Sequence, residues 1–134
     1  MGTREVRVVT IDVDAGMDFE VLGGSDASVG DALRQRVGGW IEAVASDDNT
    51  VTLWINEEGK LLGLPVNVVA TKLWWGLCPA ATNRDVLCGP VVVSGGPDAN
   101  GDTKSVPAAL ERQLLAVCAN GAAAAAVKDR LNRG

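Results

Sequence analysis

The fold of this chain is decided by the stretch VTLWINEEGKLLGLPVNVVATKLW, residues 51–74, in which a strand pattern gives way to a helix pattern. Apolar residues alternate at first, so that Val51, Leu53 and Ile55 share one face of a strand. The opposite face carries Trp54. An aromatic residue there predicts that a helix, a second subunit or a ligand covers this face.

The second half of the stretch predicts a helix. Pro65 ends the extended segment, and Asn67 belongs to the residue types that favour a helix N-cap. Successive residues of a helix point about 100° apart, so Trp74 and the next residue, Trp75, do not face the same core. We therefore expect one of them to contact a partner, a ligand or a neighbouring loop.

Polar residues and glycine connect the two patterns in NEEGKLLGLPVN, residues 56–67. NEEGK is typical of a hairpin turn in which Gly59 takes a positive φ. A second interpretation makes Glu57 and Glu58 an acid and a base, or ligands of a divalent cation beside Lys60. Adjacent residues at a strand end usually diverge, which favours the turn.

Three further strands are predicted on the N-terminal side. REVRVVTIDV, residues 4–13, and MDFEVLGG, residues 17–24, are rich in the residues that strands prefer. WIEAVA, residues 40–45, is joined to the strand beginning at Val51 by SDDN, residues 46–49. Asp and Asn are turn formers, so we expect these two strands to form an antiparallel hairpin.

A helix is predicted between the second and third strands. Ser28 fits the N-cap position and Asp31 the capping-box position three residues later. Gly38 and Gly39 end the helix. Its apolar stripe consists of Val29, Ala32, Leu33 and Val37.

The C-terminal third contains a last strand and further helices. DVLCGPVVVSG, residues 85–95, predicts a buried strand. We divide the chain into a core at 1–95, a loop or linker at 96–105 and a C-terminal helical extension at 106–134. The sequence thus predicts a single α+β domain, with an antiparallel or mixed sheet of four to five strands, two packed helices and appended C-terminal helices.

Charge and length narrow the functional classes. The chain has 134 residues and a net charge of −5, with 12 basic residues and no basic run. Binding along duplex nucleic acid requires clustered Lys and Arg, so a duplex-binding role is not expected. No apolar run has the length of about 20 residues that a membrane span needs, and no signal peptide precedes the first strand. We therefore expect a cytoplasmic protein.

The absence of His removes the commonest general base and the commonest zinc ligand. Cys78, Cys88 and Cys118 are dispersed and form no CxxC pair. They could bind zinc together with a carboxylate, but dispersed Cys residues are usually small buried apolar groups. We expect no cofactor, no resident metal and no conventional hydrolase activity.

With these segments in view, the chain resembles a small domain family of unknown function. The family is found chiefly in phage, plasmid and other mobile-element proteins, often encoded near antirestriction genes. Its pattern, NEEGxLxGLPxN…GPVVV after a Gly-Gly-aromatic step, covers residues 29–95. The resemblance implies an α+β fold and a mobile-element origin, and it carries no catalytic residues. The matching residues are Gly38, Gly39, Trp40, Asn56, Glu57, Gly59, Gly63, Leu64, Pro65, Asn67, Gly89 and Pro90.

This setting favours an accessory protein that binds rather than catalyses. We expect it to sequester or inhibit a host component, its partner being a host protein or a small ligand. Tryptophan is a frequent anchor in binding sites, and polar residues of the 56–67 segment are expected to line one end of a groove beside Trp54. The candidate binding residues are Trp54, Asn56, Lys60, Asn67, Trp74 and Trp75.

Two alternatives stay open from the sequence. The first is a small-molecule or nucleotide-binding protein, or a metal-assisted enzyme, that uses Glu57, Glu58 and Lys60. The second is a structural assembly module in which the C-terminal helices build a homo-oligomer.

Overall fold

Five strands form one antiparallel sheet in the computed structural model, which describes residues 4–24 and 26–119. Their order across the sheet is β2-β1-β5-β4-β3, so β2 and β3 are the edges. β5 is inserted between β1 and β4, which makes it a central and fully buried strand. The predicted α+β class and the five-stranded sheet are confirmed. The strands are β1 (Arg4–Ile11), β2 (Met17–Gly24), β3 (Ile41–Ala45), β4 (Val51–Asn56) and β5 (Val91–Gly95).

Within the described residues, three α-helices accompany the sheet. α1 spans Asp26–Val37, α2 spans Val68–Leu77, and α3 covers 108–119. A single 3₁₀ turn, Pro79–Ala81, follows α2. The remainder of the predicted C-terminal extension, 120–134, lies outside the described residues.

The helices cover both faces of the sheet. α1 packs on one face, where Val29, Leu33 and Val37 form a cluster with residues of β1, β2 and β5. α2 and α3 pack on the other face. There the described part of the predicted extension contributes Val106, Leu110 and Leu114 to the larger core, and α2 contributes Ala70.

The structure corrects two local predictions. Ser28 is not the N-cap of α1, because the helix begins at Asp26, directly after β2 and one intervening residue. The NEEGK segment is not a hairpin turn, because the chain enters α2 after it while β4 pairs with β3 and β5. Gly59 does not have a positive φ; Gly63 does, at 69°. A Cβ at Gly59 would lie 3.0 Å from the Cys88 carbonyl oxygen, so a larger residue there needs a small shift of the neighbouring backbone.

An ion pair fastens α3 to the sheet. The Arg7 guanidinium of β1 donates to both carboxylate oxygens of Glu111, at 2.7 and 3.1 Å. This bidentate hydrogen bond lowers the pKa of Glu111 below its ordinary value. The Val106 N–H donates to the Arg7 carbonyl at 2.9 Å. The side chain and the backbone of Arg7 therefore both bind the 106–111 segment.

We expect Glu111→Gln to lower the thermal midpoint at pH 7 by about 1–3 °C, because the pair is partly exposed and screened by solvent. The folded-state pKa of Glu111 is depressed, so its stabilising contribution is complete above the ordinary value of 4.5. That contribution is lost as pH falls through the lower, folded-state pKa. In thermal melts of both proteins between pH 7 and pH 3, the difference in midpoint should shrink as pH falls below 4.5. A constant difference across this range would contradict the assignment.

Candidate functional site

A cavity of about 440 Å³ opens beside β3, on the face of the sheet that α2 and α3 cover. Its apolar lining comes from Val44 of β3 and Ile55 of β4. Trp74 of α2 also lines it and packs against the core. Two loops complete the cavity, 57–61 and 85–88. The lining residues are Glu42, Val44, Ile55, Asn56, Glu57, Gly59, Lys60, Leu61, Trp74, Asp85, Val86, Leu87 and Cys88.

The charge of this cavity is negative. Glu42, Glu57 and Asp85 contribute three carboxylates against the single ammonium of Lys60. Lys60 and Asp85 form an ion pair, and the hydrogen bond from Lys60 is the main cause that lowers the pKa of Asp85. The Val86 N–H also donates to Asp85, at 2.8 Å. Since Lys60 is occupied by Asp85, the other two carboxylates leave the cavity with a net negative charge.

Asn56 holds the edge of the cavity in shape. Its side chain is buried, and its amide nitrogen donates to the Val37 carbonyl at 3.1 Å. Its amide oxygen accepts from the Glu58 N–H at 2.8 Å. Both ends of the amide are thus used to anchor the start of the 57–61 loop. Asn56 positions the site and presents no free amide to a ligand.

Leu61 of the cavity lining begins a segment that carries several exposed apolar side chains. Leu61 is 88% exposed and lines the opening, and Leu62 beside it is 58% exposed. Val66 and Val68, farther along the same segment, are also exposed. Single exposed apolar residues are common on proteins, but several in one short segment are typical of an interaction surface. We call Leu61 and Leu62 the leucine rim.

The predicted binding residues do not form one group. Trp54 lies on the α1 face of the sheet and donates to the Ser94 hydroxyl at 2.8 Å. Trp75 of α2 donates to the Asp85 carbonyl at 2.9 Å. Asn67 is 0% exposed and is bound inside the domain. The cavity brings together Asn56, Lys60 and Trp74, and it does not include Trp54, Asn67 or Trp75.

The alternative based on paired carboxylates finds little geometric support. Glu57 lines the cavity, whereas Glu58 is absent from its lining. Among residues 4–24 and 26–119, no group of three His, Cys, Asp or Glu residues is placed to hold a metal ion. In the same part of the chain, no helix has the length and apolarity to cross a membrane.

Glu42 and Asp85 belong to the site and are not among the residues predicted from the sequence. Glu42 is two residues from Val44 on β3, so the strand period places both on one face. That period would have identified Glu42 once the hairpin register was known. Asp85 has no such signal, because only the folding of the 82–90 loop against the turn after β4 brings it to Lys60.

Comparison with known proteins gives a family. The chain matches no curated protein and no solved structure. A family model described as a domain of unknown function, DUF3846, matches residues 3–118. This match spans the sheet, α1, α2, both cavity loops and all but the last described residue of α3. The chain therefore belongs to the DUF3846 family of domains of unknown function.

Proposed function

We propose that this protein is a non-enzymatic binding module, encoded by a phage or another mobile element, that sequesters or inhibits a host protein in the host cytoplasm. The observation that carries the proposal is the acidic cavity bordered by the leucine rim, in which Leu61 is 88% exposed. Charge and apolar area side by side are the usual composition of a protein-binding surface.

Binding is favoured over catalysis because Lys60 and Asn56, two polar residues of the site, are already engaged in internal contacts. Lys60 pairs with Asp85, and both ends of the Asn56 amide make internal hydrogen bonds. The chain has no His to activate a nucleophile. These contacts support a preformed surface more than a reaction centre.

A protein segment is favoured over a small molecule by the position of the leucine rim. A cavity of about 440 Å³ has the size of a small-ligand pocket. A small molecule that filled it would leave Leu62 and most of Leu61 exposed to water. A bound protein segment would cover the cavity and the rim together, which removes more apolar surface from water.

The proposal is tested by capture from host cytosol with matched variants. Leu61→Asp with Leu62→Asp places charge on the rim, and Val117→Asp places it on α3, where Val117 is 50% exposed. We expect a host protein retained by the wild type and by Val117→Asp, and reduced at least about tenfold by the rim variant. Identical retention by all three proteins would overturn the proposal.

Native mass spectrometry of the purified protein separates the remaining alternatives. An adduct of a few hundred daltons that survives the rim substitutions would identify a small ligand instead of a protein partner. A dimer mass that Val117→Asp abolishes would identify an assembly module built through α3. We expect a monomer mass for the wild type.

A further inference from the structure

We infer that the partner segment, which the proposed function requires, is an extended basic peptide that adds to β3 as a sixth, antiparallel strand of the sheet. The inference depends on the free edge of β3, on the position of the cavity against that edge, and on charge.

β3 presents unpaired backbone groups to solvent. The Glu57 N–H donates to the Trp40 carbonyl, and the Ser46 N–H donates to the Val51 carbonyl, both at 2.9 Å. Antiparallel pairs alternate between bonded and non-bonded, so the residues at 42 and 44 turn their backbone groups toward β4. The backbone N–H and C=O groups of Ile41, Ala43 and Ala45 then point outward, away from β4.

These outward groups have almost no partners within the described residues. The exception is the Ala45 carbonyl, which accepts from the Cys78 thiol at 3.2 Å. This contact confirms the outward direction and leaves the N–H and C=O of Ile41 and Ala43 free to pair. Edge strands are often protected by Pro, Lys or a bulge. β3 has neither Pro nor Lys, and Ala43 and Ala45 are small and exposed.

The cavity lies against this same edge. Glu42 and Val44 share the face of β3 that lines it. On an added strand, the side chains of that face would stand about 5 Å from them. A Lys or Arg opposite Glu42 would reach Glu42 and Glu57 while its apolar stem covers Val44. Main-chain pairing would supply affinity, and the cavity would supply selectivity for a basic residue.

Charge argues against a second copy of this chain as the added strand. Pairing of β3 with β3 of another copy would bring the two acidic cavities together. Glu42 of each copy would then lie close to the acidic residues at the edge of the other copy's sheet. Like charges in that arrangement destabilise a sheet. The net charge of −5 adds to this repulsion. A basic partner strand has the complementary charge.

The test uses short synthetic peptides of alternating valine and lysine. In the antiparallel register, the lysines lie over the cavity with their N–H groups directed away from β3, and the valines direct theirs toward it. A peptide N-methylated at every valine loses the pairing donors. A peptide N-methylated at every lysine keeps them and is the matched control. A third peptide with glutamate in place of lysine tests charge.

We expect isothermal titration calorimetry to show binding of the parent and the lysine-methylated peptide. The valine-methylated peptide should bind at least about tenfold more weakly, since two or more hydrogen bonds are lost. The glutamate peptide should not bind. Ala43→Pro removes one outward donor from β3 itself and should weaken binding of the parent peptide by a smaller factor, since one hydrogen bond is lost and edge positions tolerate Pro.

Two outcomes would overturn the inference without deciding the proposed function, which has its own test. Equal affinity of all the lysine peptides, with loss only in Glu42→Lys, would show cavity binding without strand addition. Absence of binding by any lysine peptide, when the rim-dependent host protein is captured, would show that the segment is not basic. If the proposed function were wrong, the wild type and the rim variant would instead retain host protein equally.

Discussion

Gly96→Ala is expected to lower the free energy of unfolding by more than about 3 kcal/mol, which for a domain of this size approaches loss of the fold. A Cβ built on Gly96 lies 1.9 Å from the carbonyl oxygen of Asn49 and 3.0 Å from its carbonyl carbon. These are backbone atoms of the β3–β4 turn, so no side-chain rotation removes the clash. Either the turn or the end of β5 must move.

Neither element is free to do so. The Gly96 N–H donates to the Thr50 carbonyl at 2.9 Å, and the Gly96 carbonyl accepts from Lys104 at 3.2 Å. One residue earlier, the Gly95 N–H donates to the Lys104 carbonyl at 2.9 Å. Displacing Gly96 would break these bonds at the end of β5. The cost of those bonds adds to the steric cost.

Gly76→Ala is the matched control. Gly76 lies in α2, and nothing is within 4 Å of a Cβ built there. The same chemical change should stabilise the domain by about 0.5–1 kcal/mol through helix propensity. Urea unfolding of the three proteins, followed by tryptophan fluorescence, measures both effects. A Gly96→Ala midpoint equal to that of the wild type would show that the close approach is not required.

Elements defined by local pattern were predictable from the sequence. The strand period placed Val51, Leu53 and Ile55 on one face and Trp54 on the other, and the structure confirms this separation into two clusters. The N-cap role of Asn67 is also confirmed, since its side chain accepts from the Ala70 N–H. These features depend on residues at most a few positions apart.

Features that depend on distant segments were not predictable in this way. The 96–105 segment has the composition of a linker, yet it folds back on the sheet through Lys104, as the Gly95 and Gly96 hydrogen bonds show. The cavity likewise joins β3 to the 82–90 loop across β4. Its members are separated along the chain, and no periodic pattern connects them. The groove predicted from the sequence beside Trp54 therefore lies on the opposite face of the sheet from the acidic cavity.

Asn67 also makes contacts with distant segments that its sequence position does not predict. Its amide nitrogen donates to the Ile11 carbonyl at 2.8 Å and to the Gly89 carbonyl at 3.0 Å. Those acceptors lie 56 and 22 residues away in the sequence, so a residue chosen as a helix cap also joins β1, α2 and the entry to β5. It is 0% exposed, so water does not replace these bonds when the side chain is removed.

We expect Asn67→Ala to lower the free energy of unfolding by about 3–5 kcal/mol, because it removes the Asn67 hydrogen bonds to the buried Ile11 and Gly89 carbonyls and to the Ala70 N–H. Asn67→Ser separates the contribution of the helix cap from that of the two hydrogen bonds to carbonyls. The serine hydroxyl can still cap α2 and should recover about 1 kcal/mol. It cannot reach the two carbonyls as the amide does, so most of the loss should remain. Urea unfolding of the three proteins measures the division. If Ser restored wild-type stability, Asn67 would be only a helix cap, and the join between β1, α2 and β5 would depend on apolar packing alone.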